Sequence, residues 1–356
     1  MAERHDAAAL LRFATGCARA AGLPEEKARD VAEVLLEGDL MGHDTHGLAL
    51  LTPYLDSLAS GDMAAAGEPE RVSATPVAET WDGRKLPGPW LVRRAIATAE
   101  KAAGVFGLGA VSIARSHHIG CLAAYGPPVA ANGHMLLLTC SDPATASVAP
   151  WGGTRRVITP NPVAAAWPTP DGPVILDVSM SITTNGMTAR RRAEGTRFPG
   201  QWLLDARGNP TDDPNAFFTD PAGTLLPLGG VEAGHKGFAL GLLVEALTSG
   251  LAGHGRAEAP GGWGANVFVL VLDPAKFGGA ERFLAESGWM AGAVRGNPPR
   301  PGFDAARLPG DGAMARRAKA LAEGVTLHPA IPPMLGKLAE RYGVRLPAAI
   351  GAGSAS

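Results

Sequence analysis

The chain predicts an α/β fold, and three observations carry that reading. Between Met135 and Gly186, three short apolar runs (MLLLTC, PVAAAW and VILDV) are separated by Pro- and Gly-rich corners. Such runs are too short for full helices and read as buried strands joined by fixed turns. Stretches at helical spacing fill the chain up to Met63, and others lie between the strand-like runs, where they can act as crossovers. A doubly wound sheet does not follow from these signals alone.

The elements follow in order. AERHDAAALLRFATGCARAAG reads as an amphipathic helix, charged from its start and unlike an export signal. GLPEEKARDVAEVLLEGDLMG begins again with Pro24 and acidic residues, favourable in a first turn, and should bury Val31, Val34, Leu35 and Leu40. Next, the turn His43-Asp44-Thr45-His46 precedes apolar positions Leu48, Leu51, Tyr54, Leu55 and Leu58, so helical N–H groups there can face an anion. Residues 67–89 look irregular; Trp90 to Gly104 is helical; Leu108 to Ala114 is a strand ending in a polar elbow at Ser116, His117 and His118. Gly120 to Ala131 is expected to be helical. Beyond Gly186 a basic, irregular segment is long enough to carry short strands and to lie over a site. The stretch from Gly237 to Gly253, interrupted by Glu245, reads as a buried helix rather than a membrane span. ANVFVLVLDP, from Ala265, is the clearest strand. Helices near Ala280–Met290, Gly312–Glu323 and Ile331–Tyr342 precede a small-residue tail expected to fray.

Composition narrows the function. With 356 residues, 46% hydrophobic and 19% charged, the chain can bury a large core and should divide into about two domains. A net charge of -2 and 6% aromatic residues disfavour nucleic-acid binding. Cys17, Cys121 and Cys140 are odd in number and form no CxxC, which fits reduced thiols and a cytoplasmic location.

No GxGxxG is present: Gly107 and Gly109 form GLG, but Ser112 stands where the third glycine belongs. GGVEAGHKG is no phosphate loop either, since His235 separates Gly234 from Lys236 and Gly237 replaces the magnesium-binding hydroxyl. His43 and His46, with His117 and His118 before Cys121, have spacings that suit zinc, yet HExxH and paired CxxC are missing. They also suit caps, surface positions, or a general acid near neutral pH.

Taken together, THGLALLTPYL, SHHIG, APWGG, TPNPVAAAWPT, ILDVSMS, GHKGFALGLLVE and RLPG resemble the malate/L-lactate dehydrogenase family. That family includes ureidoglycolate, sulfolactate and diketogulonate dehydrogenases and the piperideine/pyrroline-2-carboxylate reductases. The resemblance implies a non-Rossmann cofactor-binding sheet domain over residues 70–291, with a helical domain from residues 1–69 and returning helices in 292–356. It implies hydride transfer between NAD or NADP and a 2-oxo acid or cyclic imine, in a homodimer whose sites are completed across the interface.

Position by position, the resemblance makes His46 the proton donor, with Thr45 where serine is usual, and places a second active-site histidine at His118 and a strand-end acid at Asp177. Its cofactor contacts fall on Asn161, on Ile175, Leu176, Asp177, Val178, Ser179, Met180 and Ser181, on His235 and Lys236, and on Gly310, Asp311 and Gly312. Thr45, Leu50, Tyr54 and Ser141 fall at the substrate. Relatives carry arginines where this chain has Leu50 and Pro53, and an asparagine where it has Cys140. Arginine is the natural bidentate partner of a carboxylate, so a remodelled pocket is expected: either Arg115 or Arg155 holds the carboxylate elsewhere, or, as favoured here, the substrate presents a less charged or bulkier apolar group to this wall. The cluster Arg190, Arg191 and Arg192 suits a 2′-phosphate or a solvated face. No catalytic metal is expected; the alternatives are a metal-dependent hydrolase built on His43, His46, His117 and His118, or a binding protein without turnover.

Overall fold

The computed structural model describes residues 3–350. The short strand β1 (Arg4–His5) leads into helix α1 (Ala7–Ala20), whose first turn is capped by Asp6 accepting the Ala9 N–H at 2.7 Å. Helix α2 (Glu25–Met41) stops at Gly42, in the left-handed conformation common at helix ends. After a 3₁₀ turn at Leu48–Leu50, helix α3 (Leu51–Ser60) follows.

Residues 67–89, expected to be irregular, contain a hairpin: β2 (Glu70–Ala74) and β3 (Ala78–Asp82). Every residue of β2 is exposed, so it carries no apolar alternation from which a strand could be read. Helix α4 (Gly88–Phe106) then crosses to β4 (Leu108–Ser116), which lies parallel to β3. The helix expected over Gly120–Ala131 is instead a 3₁₀ turn at Leu122–Tyr125 and the six-residue α5 (Gly126–Ala131). Pro127 and Pro128 have no N–H to extend a helix back through the preceding turn, and they fit only its start.

The three apolar runs are strands β5 (Met135–Ser141), β6 (Val163–Trp167) and β7 (Val174–Val178). The basic segment read as irregular opens with helix α6 (Asn185–Ala193), capped by the Thr184 hydroxyl. Short strands do follow: β8 (Leu203–Leu204), β9 (Pro210–Thr211) and β10 (Thr224–Leu225) form a small separate sheet. Helix α7 (Gly230–Glu245) breaks its helical geometry at Ala233 and passes into a π-turn at Ala246–Gly250. It is not the buried helix its hydropathy suggested: Leu240, Leu242, Leu243 and Leu251 are each about half exposed. Hydropathy records what a side chain prefers; what covers it depends on the rest of the molecule.

Strand β11 (Ala265–Leu272) precedes helices α8 (Ala280–Arg295) and α9 (Asp311–Glu323), strand β12 (Val325–Thr326), which pairs with β1, and helix α10 (Ile331–Tyr342). The tail expected to fray lies mainly outside the described residues. None of the described helices is long and apolar enough to cross a membrane.

The main sheet runs β2-β3-β4-β11-β5-β6-β7, and its only parallel neighbours are β3 and β4. This is α/β architecture without the parallel strand order of a dinucleotide-binding sheet, in keeping with the missing glycine fingerprint. β11 sits between β4 and β5, with Val269 opposite both Val111 and Leu138. All three are buried, and they join Trp90, Leu91 and Ile113 in the sheet core. A second core gathers both ends of the chain: Leu10, Phe13, Leu35 and Leu51 pack with Ile331, Leu335 and Leu338. Full burial of each such side chain contributes about 1.5–3 kcal/mol, enough to make the two cores firm supports for the turns between them.

Candidate active site

His46 lies in the turn between α2 and the 3₁₀ turn that leads into α3, two helices that both contribute to the second core. Its backbone N–H donates to the His43 carbonyl at 2.8 Å, and its Nδ1 lies 3.0 Å from the Thr45 hydroxyl. The place expected for an anion at the start of the following helix is filled by the chain itself: the buried carboxyl group of Asp39 in α2 accepts the Leu48 N–H at 2.6 Å. Gly47 passes so close to this carboxylate that a Cβ would sit 2.5 Å from it. Burial raises Asp39 from 3.8 to about 7, against the pull of the Leu48 N–H. The outer side of the turn is clamped by Arg190 of α6, which donates to both oxygens of Asp44 at 2.9 and 3.0 Å.

The elbow after β4 brings His117 and His118 alongside this turn. Helix α4 begins against their carbonyls; a Cβ on Gly88 would come within 2.4 Å of each oxygen. The His118 ring stacks on Trp263 at 4.7 Å and faces His46 at 5.9 Å, both with an interplanar angle of 27°. Its Nδ1 lies 2.8 Å from the Tyr54 hydroxyl and accepts the Gly120 N–H at 3.2 Å. Acceptance at Nδ1 places the proton of the neutral ring on Nε2. His117 is fully buried, edge-on to Tyr54 and Trp263, and neither ring nitrogen has a partner. Burial lowers all three: His46 below its ordinary 6.5, His118 well below it, and His117 to about 4. For His46 the nearby Asp177 works against burial.

Asp177 stands in β7. It accepts the Ala123 N–H at 2.9 Å, and the Cys121 thiol approaches it at 3.8 Å. Burial raises its pKa, while His43, the Ala123 N–H and His46 lower it. The four histidines of the hydrolase alternative do not gather around one point. Among the described residues, His43, Cys121 and Asp177 are the group able to share an ion. Trp263 and Asp39 were not singled out in the sequence: one is a lone tryptophan in GGWG, the other an ordinary acid of a helical run.

Comparison with known proteins shows the family and the fold. The malate/L-lactate dehydrogenase family matches residues 5–335. The chain belongs to that family. It is 33% identical over 334 residues to an L-lactate dehydrogenase of Cupriavidus necator, covering 92% of this chain and 94% of the relative. It is also 30% identical over 333 residues to a Δ1-pyrroline-2-carboxylate reductase of Ancylobacter novellus, covering 90% and 93%. The fold matches a malate dehydrogenase of Entamoeba histolytica with a TM-score of 0.91 at 24% identity, over 98% of this chain and 100% of that one. These relatives are dehydrogenases and reductases, and as a member of the malate/L-lactate dehydrogenase family the chain is an oxidoreductase enzyme of the hydroxy-acid class.

Such enzymes imply a nicotinamide cofactor, and the residues present fit one. Gly310, at φ 92°, lies against Ile175 so closely that a Cβ would be 2.9 Å from the Ile175 nitrogen, and Ile175 N–H donates to Pro309 O at 3.1 Å. The RLPG turn, with Asp311 and Gly312 opening α9, is thereby held on β7, where Leu176 and Val178 are half-buried. Met180, buried, accepts the Leu228 N–H at 2.9 Å, and Ser179 and Ser181 share a 2.7 Å hydrogen bond. His235, edge-on to Trp151 at 5.7 Å, and Lys236 are exposed. Lys236 makes no hydrogen bond or ion pair among the described residues. The half-buried Leu176 and Val178 and the exposed cation of Lys236 suit a base and a pyrophosphate.

Other expected site residues are already engaged. Asn161 is fully buried at φ 46° and donates to Gly241 O and Glu245 Oε1, both at 3.0 Å, tying β6 to α7. Ser141 is buried against Thr248 at 2.8 Å. Arg115 is paired with Asp82 and so is not a free cation for a substrate carboxylate, whereas Arg155 is exposed. Arg192 lies over Phe218 at 4.5 Å.

Proposed function

We propose that the enzyme is an NAD(P)-dependent dehydrogenase or reductase acting at C2 of a small 2-oxo or 2-hydroxy acid, or of a cyclic imino acid, with His46 as the proton donor and acceptor. The observation that carries this reading is the facing pair His46 and His118 with Asp177 beside it. The nicotinamide ring, when bound, supplies or accepts the hydride. His46, neutral near pH 7 because burial lowers its pKa, takes the hydroxyl proton during oxidation. Asp177 favours the resulting imidazolium, and the reverse direction returns the proton. The Nε2–H of His118, which has no protein partner among the described residues, is available to hold the substrate oxygen. Trp263 and Tyr54 cover these rings and limit water.

Ile175 to Ser181, Gly310 to Gly312, His235 and Lys236 hold the cofactor in this reading, and Asn161 acts by positioning α7. Thr45, Leu50, Tyr54 and Ser141 border the substrate or support its wall. Leu50 offers no charge to a carboxylate, and an apolar wall cannot offset the desolvation of an anion. Larger or cyclic substrates are therefore favoured over oxaloacetate and pyruvate. The exposed leucines of α7 support a homodimer with residues 70–291 as the cofactor domain, and three free, buried cysteines support a reducing, cytoplasmic setting. NADH and NADPH consumption across a panel of 2-oxo acids and cyclic imines tests the reading. Turnover should appear with at least one acid or imine; cofactor binding with no turnover across the panel would overturn it.

A further inference from the structure

We propose that His43, Cys121 and Asp177 form a binding site for a thiolate-seeking divalent cation such as zinc. The three residues come from separate parts of the fold: the turn after α2, the start of the 3₁₀ turn before α5, and β7. One ligand atom from each lies within 4.8 Å of the others, and Cys121 Sγ is already 3.8 Å from Asp177 Oδ2. In a tetrahedral zinc site with bonds of about 2.0–2.3 Å, ligand atoms stand about 3.3–3.8 Å apart, so closing this triangle needs a movement of about 1 Å. The donor set of imidazole, thiolate and carboxylate is one that zinc takes and that magnesium and calcium, which prefer oxygen, do not.

The surroundings favour the site. The Ala123 N–H fixes the orientation of the Asp177 carboxylate from outside, as partners of metal ligands commonly do. The His43 side chain makes no hydrogen bond among the described residues, while its backbone is held by Gly38 and His46 at 2.7 and 2.8 Å. Binding forms the sulfur–metal bond as the Cys121 thiol releases its proton to solvent, with no change of oxidation state. The fourth position is left to water.

Loading this site engages the carboxylate that the proposed function sets beside His46, so the metal acts as a reversible inhibitor. This consequence rests on that reading; the binding itself does not. Metal-free protein titrated with Co²⁺ should take up one equivalent and develop a thiolate-to-cobalt charge-transfer band with the visible bands of a tetrahedral site, all displaced by Zn²⁺. Cys121→Ser should abolish the charge-transfer band. His43→Gln, at a half-buried position that tolerates change better, should weaken binding by at least about tenfold, a loss expected when a ligand is removed. Absence of the charge-transfer band in the wild type, or unchanged affinity in His43→Gln, would overturn the site. Zinc should also slow turnover of the wild type, with EDTA restoring it. Cobalt binding with the full thiolate signature but undiminished turnover in zinc would uphold the site and count against Asp177 as a partner of His46.

Discussion

The histidine end of the candidate site and its lysine end are built on opposite plans. At the histidine end, His46, His117, His118, Tyr54 and Trp263 interlock, and the supporting carboxylate of Asp39 is buried. At the lysine end, His235 and Lys236 stand exposed at a helix whose leucines are also uncovered. The first end is organised before any ligand arrives, as proton transfer requires, because a catalytic group misplaced by about 1 Å loses much of its effect. At the second, His235 rests only edge-on against Trp151 and Lys236 makes no hydrogen bond or ion pair among the described residues, which suits a surface that gains its partners on binding. On the proposed function, the contrast assigns rate and affinity to different parts of this molecule.

Four substitutions break or sharpen that division. His46→Ala should lower turnover by roughly 10²-fold or more with cofactor affinity nearly unchanged, as read by steady-state kinetics and cofactor fluorescence. Near-normal turnover would remove the histidine end from the chemistry. Lys236→Ala should do the converse, raising the cofactor dissociation constant by about tenfold to a hundredfold, since a charged hydrogen bond to phosphate contributes about 1.5–3 kcal/mol. A change confined to the substrate's KM would put Lys236 at the wrong end. Leu50→Arg should improve oxaloacetate relative to larger substrates by about tenfold, the scale of one added charge-assisted contact in water. If the wild type already prefers oxaloacetate, another cation grips the carboxylate.

The fourth substitution tests the support of the histidine turn and is read as stability. Asp39 is raised from 3.8 to about 7 in the fold, so its protonated form is favoured there. Its contribution to stability is fully present below 3.8 and is lost as the pH rises through about 7. Asp39→Asn should therefore gain stability relative to the wild type above pH 7, and the gain should shrink on acidification. The fold-linked pKa shift sets a ceiling of about 4 kcal/mol, which water penetration will reduce. Denaturant unfolding at several pH values measures it; a difference that ignores pH would mean that Asp39 is not buried as a neutral acid.

Much of this was legible in the residues. Apolar runs between prolines and glycines marked β5, β6, β7 and β11; β5 and β11 are buried on most of both faces, whereas β6 alternates and β7 is half-buried over its last three residues, so there the small and branched apolar residues between turns were the signal. The ordered motifs located His46, His118 and Asp177 and pointed to the family. The hairpin β2–β3 was hidden because its exposed residues follow no apolar rhythm. Trp263 and Asp39 were hidden because their importance lies in contacts with residues far away in sequence, His118 in one case and Leu48 in the other. The leucines of α7 read as core because hydropathy has no knowledge of neighbours.

The insertion of β11 between β4 and β5 has a further consequence for how the molecule is made. Strands β4 and β5 emerge early from the ribosome, yet neither can complete its hydrogen bonding until Ala265 to Leu272 has been synthesised. Until then each presents an open apolar edge, the kind of surface that recruits other unfinished chains. The same strand that seals the centre of the sheet thus sets the interval during which a nascent chain most needs a chaperone.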